Sequence, residues 1–282
     1  MFEFPEHINI PLGEWVDATM DWIMTNFIGI FDTIGYVVLK FMIWIEKFFL
    51  WLPWPVLVLG VAFLAWRVMG RWWMGIIMGL MIFLIGTLGQ WDLAMMTLSL
   101  VVAAVIISLA IGIPMGIAMA SSDVFENTVK PLLDGMQTMP SFVYLIPALM
   151  LFGLGKVPAL FATIIYAVPP VIRLTNVGIR EVSKEVIEAS HAFGSNYWQV
   201  LFKVQLPLAR PTIMVGINQT TMMALAMVVI ASMIGAKGLG LEVLLAINRI
   251  EVGRGFESGL CIVFLAIVID RITFAIAQKK KG

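Results

Sequence analysis

The chain has 282 residues, of which 61% are hydrophobic and 13% charged, with formal net charge +0 and mean hydropathy +0.97. Soluble domains carry about 25% charged residues, so the deficit excludes an ordinary water-soluble fold and predicts an all-α polytopic membrane protein. The absence of net charge gives no nucleic-acid signal, and the lone Cys261 with the scattered His7 and His191 offers neither a disulfide nor a metal-ligand pattern.

The first residues, MFEFPEHINIPLGEW, lack a basic region and an apolar core, so no cleavable signal peptide is expected. Along 13–50, Asp17, Asp21, Thr25, Asp32, Tyr36, Lys40 and Lys47 recur at helical spacing among apolar residues. Acids are costly in hydrocarbon, about 2.5–3.5 kcal/mol each at its centre. The stripe therefore predicts one or two amphipathic helices lying in the interface; the rival is a span over about 34–52. Residues 1–53 form this N-terminal scaffold segment, 54–90 carry peripheral membrane helices, and 91–282 form the core.

A bilayer core of about 30 Å needs about 20 apolar residues per helix. About seven spans are expected, near 54–69, 72–90, 94–120, 134–154, 157–172, 211–235 and 257–278. Alternating them with the C-terminus inside places twelve basic residues on the inner side, including Arg67, Arg71, Arg180 and Lys279 to Lys281, and six on the outer. That asymmetry predicts a cytoplasmic C-terminus and a cytoplasmic loop over 173–210. Nine of the ten tryptophans precede residue 92 and flank the spans as interfacial belts.

The loop is a polar island. Ser183 is placed to cap a helix, and Val182, Val186, Ala189 and Phe193 share one face. Gly194 is expected to end it in the left-handed conformation. Asn196 with Gln199 three residues on is close to a capping box. Pro207 is expected to stop the second helix and Pro211 to open the next span. A helical hairpin with no core of its own has reason to exist only if it touches something in water.

Here the residues carry a resemblance. Glu188-Ala189-Ser190, then Gly194, Val204 and Leu206-Pro207 stand at the spacing of the Glu-Ala-Ala…Gly…Ile…Leu-Pro loop of ATP-binding-cassette (ABC) importer permeases, with Ser190 for Ala and Val204 for Ile. The runs DGMQTMPSFVYLIPALMLFGLGKVP, IIYAVPPVIRLTNVGI and NQTTMMALAMVVIASMIGAKGLG resemble the glycine betaine/proline betaine permeases of that class. The resemblance implies a MetI-like permease fold in the bacterial inner membrane, with these loop residues docking on a separate nucleotide-binding ATPase subunit. It further implies a second copy of the chain around a shared path and an extracytoplasmic substrate-binding protein. ATP would be bound by the partner: this chain has no phosphate loop, no cofactor is expected, and it is not expected to be an enzyme.

Polar groups inside the membrane normally face a bundle interior or a water-filled path. The candidates are Gln137, Thr138, Ser141 and Tyr144 in one span and Asn218, Gln219, Thr220 and Thr221 in another. Gln137, Ser141 and Tyr144 would share a helical face, with Pro140 and Pro147 kinking the span. Uncharged dipoles suit a zwitterion that must also leave; interhelical hydrogen bonding is the bland alternative. Choline or carnitine are alternative solutes. An ion-coupled secondary transporter would want buried acids or an inverted repeat; the chain offers few mid-span charges and no obvious repeat.

Overall fold

The computed structural model describes residues 11–278; His7 and the basic run Lys279 to Lys281 lie outside them. The described residues form helices joined by short turns. Helix α1 (Leu12–Trp51) is followed by the short apolar pair α2 (Trp54–Met69) and α3 (Trp72–Thr87), then by α4 (Trp91–Ser121) and α5 (Asp123–Thr138). A 3₁₀ turn, Ser141–Tyr144, leads into α6 (Leu145–Phe152). Helices α7 (Lys156–Ala167) and α8 (Pro169–Arg180) run on as one span. Next come α9 (Lys184–Ala192), α10 (Tyr197–Val200), α11 (Leu206–Ala231), α12 (Leu239–Arg249) and α13 (Val252–Gln278).

Among the described residues, five helices are long and apolar enough to cross a membrane, or six if the bent pair α5 and Ser141–Phe152 is one span; α2 and α3, expected as spans, are shorter and apolar. The most central is Lys156–Arg180, with 67% of its most apolar window buried. Its α8 half packs against α4 and α11. Glycines permit this approach. A Cβ on Gly116 would meet Thr175 Cβ at 2.5 Å and the Ile172 carbonyl at 2.7 Å; one on Gly216 would meet Leu174 Cβ at 2.9 Å. Gly75 does the same for α3 against Ala62 of α2. In lipid the hydrophobic effect does not drive helices together, so close packing of small residues takes its place.

Three expectations change here. The stretch 13–50 is one unbroken helix. At 1.5 Å per residue it is about 60 Å long, twice the bilayer core. Its first half carries the exposed acids, while Met42 and Ile45 of the second half are buried in the main cluster with Leu100, Ala104 and Ala148. The packing favours the rival reading for that half. Lys156 of α7 pairs with Glu46, so the one acid in the packed half has a counter-charge.

The expected span 134–154 is broken: α5 and the following helix are bent by 110°. Met139 is extended (φ −68, ψ 137), because a residue before proline is pushed out of the helical region. Pro147 stays inside α6. Residues 173–180, expected in the loop, are the end of α8, clamped by charge: Arg180 Nη1 lies 2.6 Å from Asp123 and its Nη2 3.1 Å from Glu126, while Arg173 pairs with Asp134.

Candidate functional site

The loop folds as the hairpin its residues predict, with two differences. Ser183 precedes α9 but makes no capping bond; its hydroxyl faces Glu185 Oε2 at 3.4 Å. Gly194 adopts φ +81. Its N–H donates to the His191 carbonyl at 2.8 Å and the Ser195 N–H to the Ser190 carbonyl at 3.1 Å. This pair of bonds is the Schellman stop, which satisfies carbonyls at the helix end. The Asn196 side chain accepts from the Gln199 N–H at 2.9 Å, and Gln199 Oε1 accepts from the Asn196 N–H at 2.9 Å, a complete capping box.

The second difference is at the prolines. Pro207 does not stop the helix: Leu201–Gln205 is a π turn in which the Leu206 N–H reaches back to the Leu201 carbonyl. Pro207 then follows the π turn as the second residue of α11, and Pro211 lies inside α11. Tyr197–Ile234 is therefore one continuous helix. α10 and the span thus share helical backbone, with the π turn between them.

The hairpin buries nothing of α9. Phe193 is 91% exposed and Trp198 62%, and Val186, Tyr197 and Phe202 are exposed beside them. The Trp198 ring stacks on Phe202 with centroids 6.0 Å apart. Glu188, Ala189, Gly194 and Pro207 are exposed, Ser190, Val204 and Leu206 half-buried. Glu188 has no ion-pair partner among the described residues. An aromatic patch with a free carboxylate, on a hairpin that the bundle does not cover, is a surface shaped for a partner. Among the described residues its one polar tether to the bundle is Tyr197, whose hydroxyl lies 2.5 Å from that of Ser121 at the end of α4.

The membrane candidates divide. Gln137 and Thr138 are exposed near the end of α5, and Ser141 is half-buried in the turn after the break, so they do not share a straight helical face with Tyr144. Tyr144 is buried and its hydroxyl donates to the Met136 carbonyl, closing the bend. On α11, Gln219 is exposed, on a stripe with Pro211, Val215, Met222 and Ala226. Thr221 is buried and donates to the Ile217 carbonyl at 2.8 Å; Thr220 is buried with its hydroxyl unpaired. Asn218 Nδ2 donates to Asp270 Oδ1 of α13 at 2.9 Å, while its own oxygen is buried and unpaired.

Two features escaped the sequence reading. One is the cluster of Arg180, Asn176, Asp123 and Glu126 at the hairpin end of α5 and α8. Its signal was legible: acids at i and i+3 in α5, amide and guanidinium at i and i+4 in α8. The other is the Asn218–Asp270 bond, which no local spacing announces. The glycine turn before α12 is also tighter than a flexible link: the Leu239 N–H donates to Thr97 Oγ1 at 2.8 Å, and a Cβ on Gly238 would lie 2.5 Å from that oxygen.

The comparisons with known proteins define the class. Residues 112–282 match the family described as binding-protein-dependent transport system inner membrane component, and the chain belongs to that family. It is the membrane-embedded permease component of an importer.

Among individual relatives, it is 46% identical to the glycine betaine/proline betaine transport system permease protein ProW of Escherichia coli, over 97% of this chain and 77% of that one. It is 47% identical to the glycine betaine/carnitine permease GbuB of Listeria monocytogenes, over 99% of both chains. It is also 47% identical to the glycine betaine permease OpuAB of Bacillus subtilis, over 97% of this chain and 96% of that one. An inward-facing structure of the MetNI methionine ABC transporter matches with TM-score 0.57 and 22% identity, over 64% of this chain and 93% of that one, which shows the shared fold.

Proposed function

We propose that this permease imports glycine betaine and related quaternary-ammonium osmoprotectants, driven by ATP hydrolysis on a separate subunit. The solute is the one common to the names of the three relatives above; proline betaine and carnitine each appear in one of them. The observation that carries the ATPase assignment is the exposed hairpin. Glu188, Ala189, Ser190 and Gly194 present its first helix, and Val204, Leu206 and Pro207 join its second to α11. Docking there covers Phe193 and Trp198, which water would otherwise meet.

The rest of the cycle follows from that contact. Two copies enclose a path, with the uncovered α11 stripe around Gln219, and Gln137 and Ser141 beside it, as the polar groups nearest the solute; Tyr144, Asn218 and Thr221 hold the helices that present them. Closure of the ATPase subunits pulls the hairpins, and the continuous helix from Tyr197 tilts α11 between inward and outward access. An extracytoplasmic binding protein delivers the solute, and both the hairpin and the C-terminus face the cytoplasm, as the basic-residue asymmetry supports.

The test is uptake of radiolabelled glycine betaine into proteoliposomes holding permease, ATPase and binding protein, with and without internal ATP. ATP-dependent uptake competed by proline betaine is expected. Uptake that ignores ATP and follows an imposed ion gradient would overturn the reading. In parallel, a photoreactive group at Ala189→Cys should capture the ATPase subunit.

A further inference from the structure

A cleft of about 440 Å³ opens where the turn between α2 and α3 meets the last turns of α13. Arg71 and Arg271 line it from different helices, and Met69, Met74 and Phe274 supply apolar walls. The two cations have little to neutralise them. Among the described residues Arg71 has no carboxylate partner, only the ring of Trp73 at 5.8 Å. Arg271 has Asp270 at 3.8 Å, beyond hydrogen-bond reach, and its side chain is 56% exposed. Arg71 stands at the N-terminus of α3, where the positive end of the helix macrodipole lies.

The depth of the cleft follows from its neighbours. Trp66, Trp72 and Trp73 flank the α2–α3 turn and are exposed. Tryptophans with one polar edge concentrate at headgroup level, so the cleft sits where phosphates of the bilayer lie. A free phosphate would satisfy the guanidinium groups but leave the methionine and phenylalanine walls without a partner. A phosphodiester carrying acyl chains satisfies both. Guanidinium groups suit it because they bind phosphate oxygens in pairs, and basic pockets between membrane helices are known headgroup sites. No residue of α9 or α10 lines the cleft, so it is separate from the proposed ATPase contact.

We propose that this cleft is a binding site for one anionic phospholipid, its phosphate held by Arg71 and Arg271 and an acyl chain lying along Met69, Met74 and Phe274. The experiment is native mass spectrometry of the full-length permease released from nanodiscs of phosphatidylcholine, with and without phosphatidylglycerol. The wild type should retain phosphatidylglycerol at least fivefold over phosphatidylcholine, and the R71Q/R271Q variant should lose that preference, while R249Q keeps it. Equal retention in wild type and R71Q/R271Q overturns the site. A second measurement needs no substitution: photoactivatable phosphatidylglycerol should label peptides covering 68–74 and 271–275, and labelling confined to other segments overturns it. Inorganic phosphate at millimolar concentration should not displace the label; if it does, the ligand is soluble phosphate and the lipid assignment falls.

Discussion

The hydroxyls of Ser121 and Tyr197 lie 2.5 Å apart and join the end of α4 to the hairpin. They add a polar link beside the apolar contact that buried Leu201 makes with the cluster of Ile179, Ala209 and Ile213. Tyr197→Phe and Ser121→Ala each remove the bond. The pair is exposed, so the stability cost is below about 1 kcal/mol. The effect falls on coupling: ATPase activity stimulated by solute-loaded binding protein should drop two- to fivefold in either variant, with normal membrane insertion. Because each change removes the same bond, the double variant should be no worse than the singles. Additive losses would show that the two residues act separately.

Gly194 is the hairpin's conformational constraint, at φ +81 with open space around it. Gly194→Ala meets no clash, so its cost is that of the left-handed backbone alone, about 1–2 kcal/mol. Hydrogen exchange at the Ser195 amide should accelerate and transport should fall. Ser190→Ala, by contrast, removes only a bond to the Val186 carbonyl within α9 and should leave both unchanged.

The seam between α4 and α8 depends on Gly116. Gly116→Ala would place a methyl 2.5 Å from Thr175 Cβ and 2.7 Å from the Ile172 carbonyl. Neither a β-branched side chain nor backbone yields cheaply, and overpacking of this kind costs about 1–3 kcal/mol. Thermal unfolding in detergent should show a lowered midpoint. Gly60→Ala in α2, with nothing within 4 Å, is the matched control and should leave the midpoint unchanged or raise it.

The Arg180 cluster separates two carboxylates by exposure. Asp123 is 81% exposed at its side chain and Glu126 21%. An exposed ion pair contributes about 0–1 kcal/mol, whereas breaking a more buried one leaves a poorly solvated charge. Glu126 also accepts from Asn176 at 2.9 Å. Glu126→Gln should therefore lower the unfolding midpoint clearly and Asp123→Asn scarcely at all. The reverse order would mean that solvent reaches the cluster by another route.

What was legible in the chain was local. The capping box at Asn196 and Gln199 and the stop at Gly194 involve residues within five positions of one another, so spacing reveals them. The long helices α4, α7 with α8, α11 and α13 were legible because apolar runs of that length have few alternatives. Pro140 announced a kink, but its size, 110°, goes with a tyrosine hydroxyl eight residues from the carbonyl it binds. Pro207 read as a stop because a proline normally is one, yet the helix runs on past it by way of the π turn Leu201–Gln205. The acids of α1 announced an interfacial helix, yet where Met42 and Ile45 pack depends on α4 and α6, which no window of α1 contains. For the candidate path, sequence supplied the polar residues but not their facing, which only the helix neighbours decide.

Asp270 is the test of that last point. It is an acid within α13, its side chain 28% exposed, held by Asn218 at 2.9 Å and more distantly by Arg271. A carboxylate in a membrane span is costly, so its retention needs either a structural or a functional reason. If the structural bond is the whole reason, Asp270→Asn keeps an acceptor for Asn218 and sheds a charge; the unfolding midpoint should hold or rise, and uptake should be unchanged. Asn218→Ala leaves the carboxylate without its nearest donor and should lower the midpoint by an amount equivalent to about 1–3 kcal/mol. Asn218→Asp should be worse than Asn218→Ala, since it sets two carboxylates against each other. A stable Asp270→Asn that no longer transports would instead mean that the charge itself takes part in the cycle, and the bond to Asn218 would then be what holds that charge of α13 against α11.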